Sequence, residues 1–397
     1  MKHRGRGIVA LVLCAASAVA CADAPTDAEV AQFRARLEST SSYRLPAVDK
    51  QPAVAINGPF LCVTDGDHSD FGDAESRGPF QYACKPDEPT FASYRDTLVA
   101  TFRHSTPLMR RLLLSPKLKR LEILVGSPVN GMSLGVKDAD GKDVYLVAAN
   151  VAAFGVDAKH GYETYQAYYE SFQTLAGGGE HRNKTLIAQH RYAPMPKGPE
   201  VHVTLRPGAD ESLRGPVGVL LKILHHELGH FLQSYATPAA IGLPGAGEDD
   251  DTWRDPSIPA LIFDAAPKNG HNGDFAFASS RVEAARTRTC FGREPVCGTQ
   301  RHAAGDPGFA ADLQALYGGT GVLDSVASWK PDEAFCEWQA FLALEPEMQS
   351  IVIEPAPGVA HASIDVIAEM RSFKKRKQVL AFLEERGKVL EAALAAP

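Results

Sequence analysis

The chain has no run of apolar residues long enough for a bilayer-spanning helix, no internal repeat and no low-complexity tract, which argues against helical membrane-spanning, solenoid and fibrous architectures. It also lacks an excess of positive charge. With 41 Lys and Arg against 48 Asp and Glu, its formal charge is −7, which argues against a nucleic-acid partner. Cysteines are few, seven in 397 residues, so disulfides can pin loops but cannot replace a core. The stretch at 65–73, dense in Gly, Asp and Ser, lacks the spacing of a calcium loop and reads as a solvated loop, and the acidic run 248–251 reads as a solvated loop with a calcium site or a specificity rim as the alternative.

What is present begins with a leader. Residues 1–22 combine a basic head (Lys2, Arg4, Arg6), an apolar stretch from Ile8 to Ala20 and small residues at the end, the pattern of a signal peptide. Ala18-Val19-Ala20-Cys21 resembles a bacterial lipobox, which makes Cys21 a lipidation candidate. Ala20-Cys21-Ala22 equally suits ordinary cleavage before Asp23. The expected location is the periplasm or outer membrane of a bacterium, with secretion as the alternative, and a lipid anchor at Cys21 is the only expected membrane contact. In such an oxidising compartment the local pairings are Cys62 with Cys84 and Cys290 with Cys297, leaving Cys336 as a buried thiol.

The remaining length suits one extended domain or two that share a cleft. Residues 23–90 read as a tether followed by a disulfide-pinned loop region. Residues 91–235 read as the α+β part of a domain, and 236–397 as a mainly helical part. Helical spacing covers 91–114 and the tyrosines from Tyr162 to Phe172; strands are expected at 121–125, 144–151 and 200–205. The last residues, from Ile364, read as an amphipathic helix packing on the core. The predicted fold class is α+β, a mixed sheet with helices packed on it.

The most informative stretch is Leu221 to Gln233, LKILHHELGHFLQ, inside a proline-free apolar run from Val217 to Tyr235. Leu220, Leu224, Leu228 and Phe231 fall on one stripe, so the segment is predicted to be a buried helix. Burying two histidines and a glutamate there is costly unless they are paired or hold an ion. His226, Glu227 and His230 form H-E-x-x-H. Residues four apart on a helix lie one above the other, so His226 and His230 can present two ring nitrogens to one zinc ion, with Glu227 beside it as general base. His225 points elsewhere and reads as structural.

A catalytic zinc takes three protein ligands. Residues 332–344, DEAFCEWQAFLAL, form a second apolar helix pattern carrying Glu333 and Glu337 four apart. Their burial poses the same problem and admits the same remedy: Glu333 binds the ion, and Glu337 accepts the free ring N–H of a ligand histidine, with His226 as the expected partner. Glu283, His271, His302 and Cys336 are the competing third ligands.

H-E-x-x-H at 226–230 followed by E-x-F-x-E at Glu333, Phe335 and Glu337 resembles the gluzincin branch of the zincin metallopeptidases. The segment Phe275 to Ala284 is similar to the strand-like stretch that often precedes the ligand helix in that family. The resemblance implies a zincin-like core, one zinc ion, a peptide or protein substrate, and a Tyr, His or Arg stabilising the oxyanion, for which Tyr317, Arg281 and Tyr235 are the candidates. About 100 residues separate the two motifs, and Cys336 stands where alanine is common. The expected activity is hydrolysis of peptide bonds by zinc-activated water with Glu227 as base. The alternatives are an envelope lipoprotein acting as a non-catalytic binding module, and a cell-wall peptide amidase or endopeptidase.

Overall fold

A computed structural model describes residues 24–45, 54–64, 91–124, 131–155, 201–234, 265–268, 271–288, 302, 306–324, 327, 331–355 and 363–396. The leader, Cys21, Cys84, Cys290, Cys297, Tyr235 and the helix expected around Tyr162 to Phe172 lie outside these residues. Cys62 is buried and disulfide-bonded, and its partner also lies outside them.

The segment expected to be an irregular tether is ordered structure instead. Helix α1 (Asp27–Leu37) starts on a capping box: Thr26 accepts from the Glu29 N–H, and the Glu29 carboxylate accepts from the Thr26 N–H. Its Phe33 stacks on Phe102 at 4.5 Å between centroids, which fixes the helix to the core. Strands β1 (Thr40–Leu45) and β2 (Val54–Pro59) form an antiparallel pair, and β3 (Leu61–Thr64) pairs in parallel with β4 (Leu118–Leu124). The boundary read at residue 90 therefore runs through a sheet.

The helix expected over 91–114 is two helices, α2 (Phe91–His104) and α3 (Pro107–Leu114). Pro107 has no N–H and disfavours a helical Thr106, which is extended at ψ 155° and caps α3 through its hydroxyl. His225 holds the break. Its Nε2 accepts from the Thr106 N–H at 3.1 Å, and its Nδ1–H donates to Leu221 O at 2.8 Å. Burial pushes its pKa down to about 4, so the ring stays neutral and keeps one donor and one acceptor.

The principal sheet has the order β3-β4-β6-β5, with β6 (Asp143–Asn150) parallel to β4 and β5 (Gly131–Lys137) antiparallel at the edge. β5 was not predicted. Its sequence GMSLGVK alternates small and apolar residues, and its glycines weaken the strand signal that they in fact serve by letting a helix approach. A second sheet, of order β11-β10-β7, joins β7 (Val201–Pro207), β10 (Met348–Pro355) and β11 (Ile364–Asp365), all antiparallel.

Helix α4 (Pro216–Ser234) carries the H-E-x-x-H residues, and the stripe predicted from the sequence is fully buried: Leu220, Leu224, Leu228 and Phe231 are at most 2% exposed. Leu221, Ile223 and Leu232 are buried as well, so α4 is enclosed on several faces. Each such side chain contributes about 1.5–3 kcal/mol. That burial holds the polar residues of α4 inside the protein.

Beyond α4, the stretch expected to be strand-like at 275–284 divides into the end of β9 (His271–Phe277), which pairs with β8 (Ala265–Lys268), and the start of α5 (Ser280–Arg288). Glu283 accepts from the Phe277 N–H and so stops the strand where the helix begins. Helix α6 (Gly308–Tyr317) follows, then α7 (Pro331–Leu344), which carries Glu333 and Glu337 and packs on α4. Helices α8 (Val366–Ser372) and α9 (Arg376–Ala395) complete the chain, with α9 against α3 and α4. Among the described residues no helix is long and apolar enough to cross a membrane.

Candidate metal centre

The site lies where α4 crosses α7, and a glycine permits the crossing. A Cβ at Gly229 would lie 2.6 Å from Cys336 Cα, a backbone atom that cannot move aside. With hydrogen in place of Cβ, the helices approach closely enough for Glu333 to meet the histidines. Glu333 Oε2 is 3.1 Å from His226 Nε2 and 4.0 Å from His230 Nε2, and the two imidazole rings stand edge to face with centroids 5.0 Å apart. Ligand atoms of a tetrahedral zinc site are separated by about 3.3 Å, as bonds of about 2.0–2.1 Å require.

His226 has a carboxylate at each ring nitrogen: Glu333 at Nε2, and Glu337 Oε1 at Nδ1, 2.8 Å away. A neutral imidazole has one N–H. If Nδ1–H donates to Glu337, the Nε2 lone pair faces a carboxylate oxygen, a repulsive contact unless a cation lies between them. Burial opposes charge on this ring, yet the hydrogen bonds and charges of Glu333 and Glu337 hold its pKa well above the usual histidine value. The arrangement favours a positive charge at Nε2, which a second ring proton or a metal ion could supply. The donor set, two imidazoles and a carboxylate, is one that zinc takes.

Cys336 is the competing ligand that also reaches the site. His226, His230 and Cys336 bring one donor atom each within 4.8 Å of one another. Its sulfur, however, lies 3.4 Å from His230 Nδ1, on the side of the ring away from the nitrogen that faces Glu333. Cys336 and Glu333 thus approach His230 at different ring nitrogens. Two other competitors are engaged elsewhere: Glu283 with Arg286 and the Phe277 N–H, and His302 with Asp306 and Asp312. The side chain of His271 lies outside the described residues.

Glu227 is buried, and burial raises its pKa, partly offset by His230 and His226 and by a hydrogen bond from the Ser133 hydroxyl. A carboxylate with a raised pKa is a stronger proton acceptor than an exposed one. Strand β5 packs against it so closely that a Cβ at Gly131 would lie 2.6 Å from Glu227 Oε1 and 2.7 Å from Ile223 Cγ2. Gly135, on the same face, lies against Phe231. Gly131, Ser133 and Gly135 recur with period two, so one face of the edge strand is built for α4. The sequence reading missed all three, and the small-residue alternation was the available signal.

Of the oxyanion candidates, Tyr317 is 1% exposed in the core and Arg281 is exposed on α5. Comparison with protein-family models, curated proteins and solved structures returns no match.

Proposed function

We propose that the chain is a gluzincin-type zinc metallopeptidase with a zincin-like core, hydrolysing peptide bonds outside the cytoplasm. The observation that carries this reading is the convergence of His226 Nε2, His230 Nε2 and Glu333 Oε2 beside a buried Glu227. The disulfide at Cys62 supports an oxidising location.

When bound, zinc supplies Lewis acidity and lowers the pKa of a coordinated water to about 7. His226 and His230 would hold the ion through their imidazoles and Glu333 through its carboxylate, with Glu337 fixing the His226 tautomer. Glu227 takes the proton of the attacking water, is held in place by Ser133, and returns the proton to the leaving nitrogen as the peptide bond breaks. An extended substrate finds its main-chain partner in β5, the sheet edge that lies against the base at Gly131. The strand expected at 200–205, β7, is the edge of the other sheet and pairs with β10.

Elemental analysis and digestion of a mixed peptide library test the reading together. The native chain is expected to hold one zinc and cut peptides, Glu333→Ala to lose the metal, and Glu227→Gln to keep it while turnover falls about 10²- to 10⁴-fold. A native chain without zinc, or one that keeps zinc without Glu333, would overturn the ligand assignment. Zinc binding with no cleavage of any peptide would overturn the activity.

A further inference from the structure

Behind the ligands lies a group that the proposed chemistry does not use. Lys222 is 1% exposed, one turn before His226 on the same stripe of α4. A buried ammonium is costly unless it is paired. Its Nζ lies 2.8 Å from Glu337 Oε2, an ion-pair contact without the alignment of a hydrogen bond, and donates to Asp324 Oδ2 at 2.8 Å. It also stands 5.5 Å over the Phe341 ring. Asp324 is itself anchored, since its Oδ1 accepts from the Ala327 N–H at 2.9 Å.

The two helices thus meet in an antiparallel ladder. His230 and His226 face Glu333, His226 faces Glu337, and Lys222 faces Glu337 and Phe341. Glu337 divides its two oxygens between adjacent rungs, Oε1 to the imidazole and Oε2 to the ammonium. A carboxylate with one oxygen pinned can present the other in only one orientation. Lys222 also matches one of two adjoining buried carboxylates. Without it, Glu337 and Asp324 would face each other with no countercharge, and their repulsion would push Glu337 out of line with His226.

We propose that Lys222 is a positioning residue for the metal: through Glu337 it fixes the tautomer and plane of His226, and thereby sets how tightly the site holds zinc. Asp324 keeps Lys222 in register. The inference rests on the metallopeptidase reading only in taking His226 as a ligand.

Zinc affinity, read by competition with a chromophoric chelator, tests it, together with the visible spectrum of the Co²⁺-loaded protein and the melting of the metal-free chain. Lys222→Met is expected to weaken zinc about 10- to 100-fold and to shift the Co²⁺ bands. Adding Asp324→Asn to Lys222→Met removes the surplus carboxylate, and is expected to restore zinc affinity by at least about threefold over Lys222→Met alone. If Lys222→Met does not fold, Lys222→Gln, which keeps a hydrogen-bond donor without the charge, is measured instead, with the same loss expected. Native-like zinc affinity in a folded Lys222 variant that merely melts lower would show a structural role only and overturn the inference. A native chain that takes up no zinc would instead sink the metallopeptidase reading.

Discussion

His226 and His302 are built alike up to a point. Each has a carboxylate at both ring nitrogens: Glu337 at 2.8 Å and Glu333 at 3.1 Å for His226, Asp306 and Asp312 at 2.7 Å each for His302. They differ in what stands behind the carboxylates. At His302 the inner partner, Asp312, is gripped by Nε and Nη2 of Arg288, and the outer one, Asp306, is more exposed and accepts from the Gly308 N–H. At His226 the inner carboxylate has Lys222, while the outer one, Glu333, faces a second imidazole. A histidine between two carboxylates is therefore a closed charge network in one place and, in the proposed reading, a metal centre in the other. The distinguishing feature is that a second imidazole converges on the outer carboxylate at His226.

The strongest test of this contrast replaces each histidine in turn. His226→Gln is expected to abolish stoichiometric zinc and, with it, hydrolysis. His302→Gln is expected to leave one zinc per chain by elemental analysis, and a loss of zinc there would erase the distinction. Next in size is Gly131→Val, whose side chain must enter space held by Glu227 and Ile223. Displacing the base is expected to lower kcat about 10- to 100-fold with zinc content unchanged, which separates the proton-transfer group from the ligands.

A smaller effect is expected for stability. His302 is 8% exposed, and His302→Gln leaves Asp306 and Asp312 short of a shared donor, costing about 1–3 kcal/mol in urea unfolding of the metal-free chain. The smallest effect concerns a third histidine of the same kind. His104 lies 3.3 Å from Glu347 and 3.2 Å from Asp210, and the hydrogen bond to Glu347, outweighing burial, raises its pKa. A raised histidine pKa stabilises the fold fully below the unfolded value of about 6.5, and the contribution is lost as pH rises through the folded value. The urea midpoints of the native and His104→Gln chains should differ most in that acid range and converge at alkaline pH. A gap independent of pH would show that His104 acts by packing alone.

Much of the candidate site could be read from sequence because its parts are local. The H-E-x-x-H spacing and the apolar run around it give a helix, its buried setting and two nitrogens on one face. Glu333 and Glu337 on α7 follow from the same periodicity. The small residues that make the site fit were not legible. Gly229 looks like a helix weakness until Cys336 Cα is found against it, and Gly131 looks like a loop residue until Glu227 is found beneath it. Elsewhere, Pro107 divided a helix that the apolar spacing had joined, and the ordered α1 and β1–β2 replaced an expected tether.

The sequence by itself determined which residues share a helical face, because the 3.6-residue period is a local property of the backbone, and which helices are buried, because apolar side chains leave water wherever they fall. It could not determine that Glu333 meets His226, that Lys222 lies beneath Glu337, or that β5 covers Glu227. Those partners are separated by about 100 residues, and loop length barely constrains which faces meet. Only close packing of α4, α7 and β5 decided that, because an interior without voids admits few arrangements of the same faces.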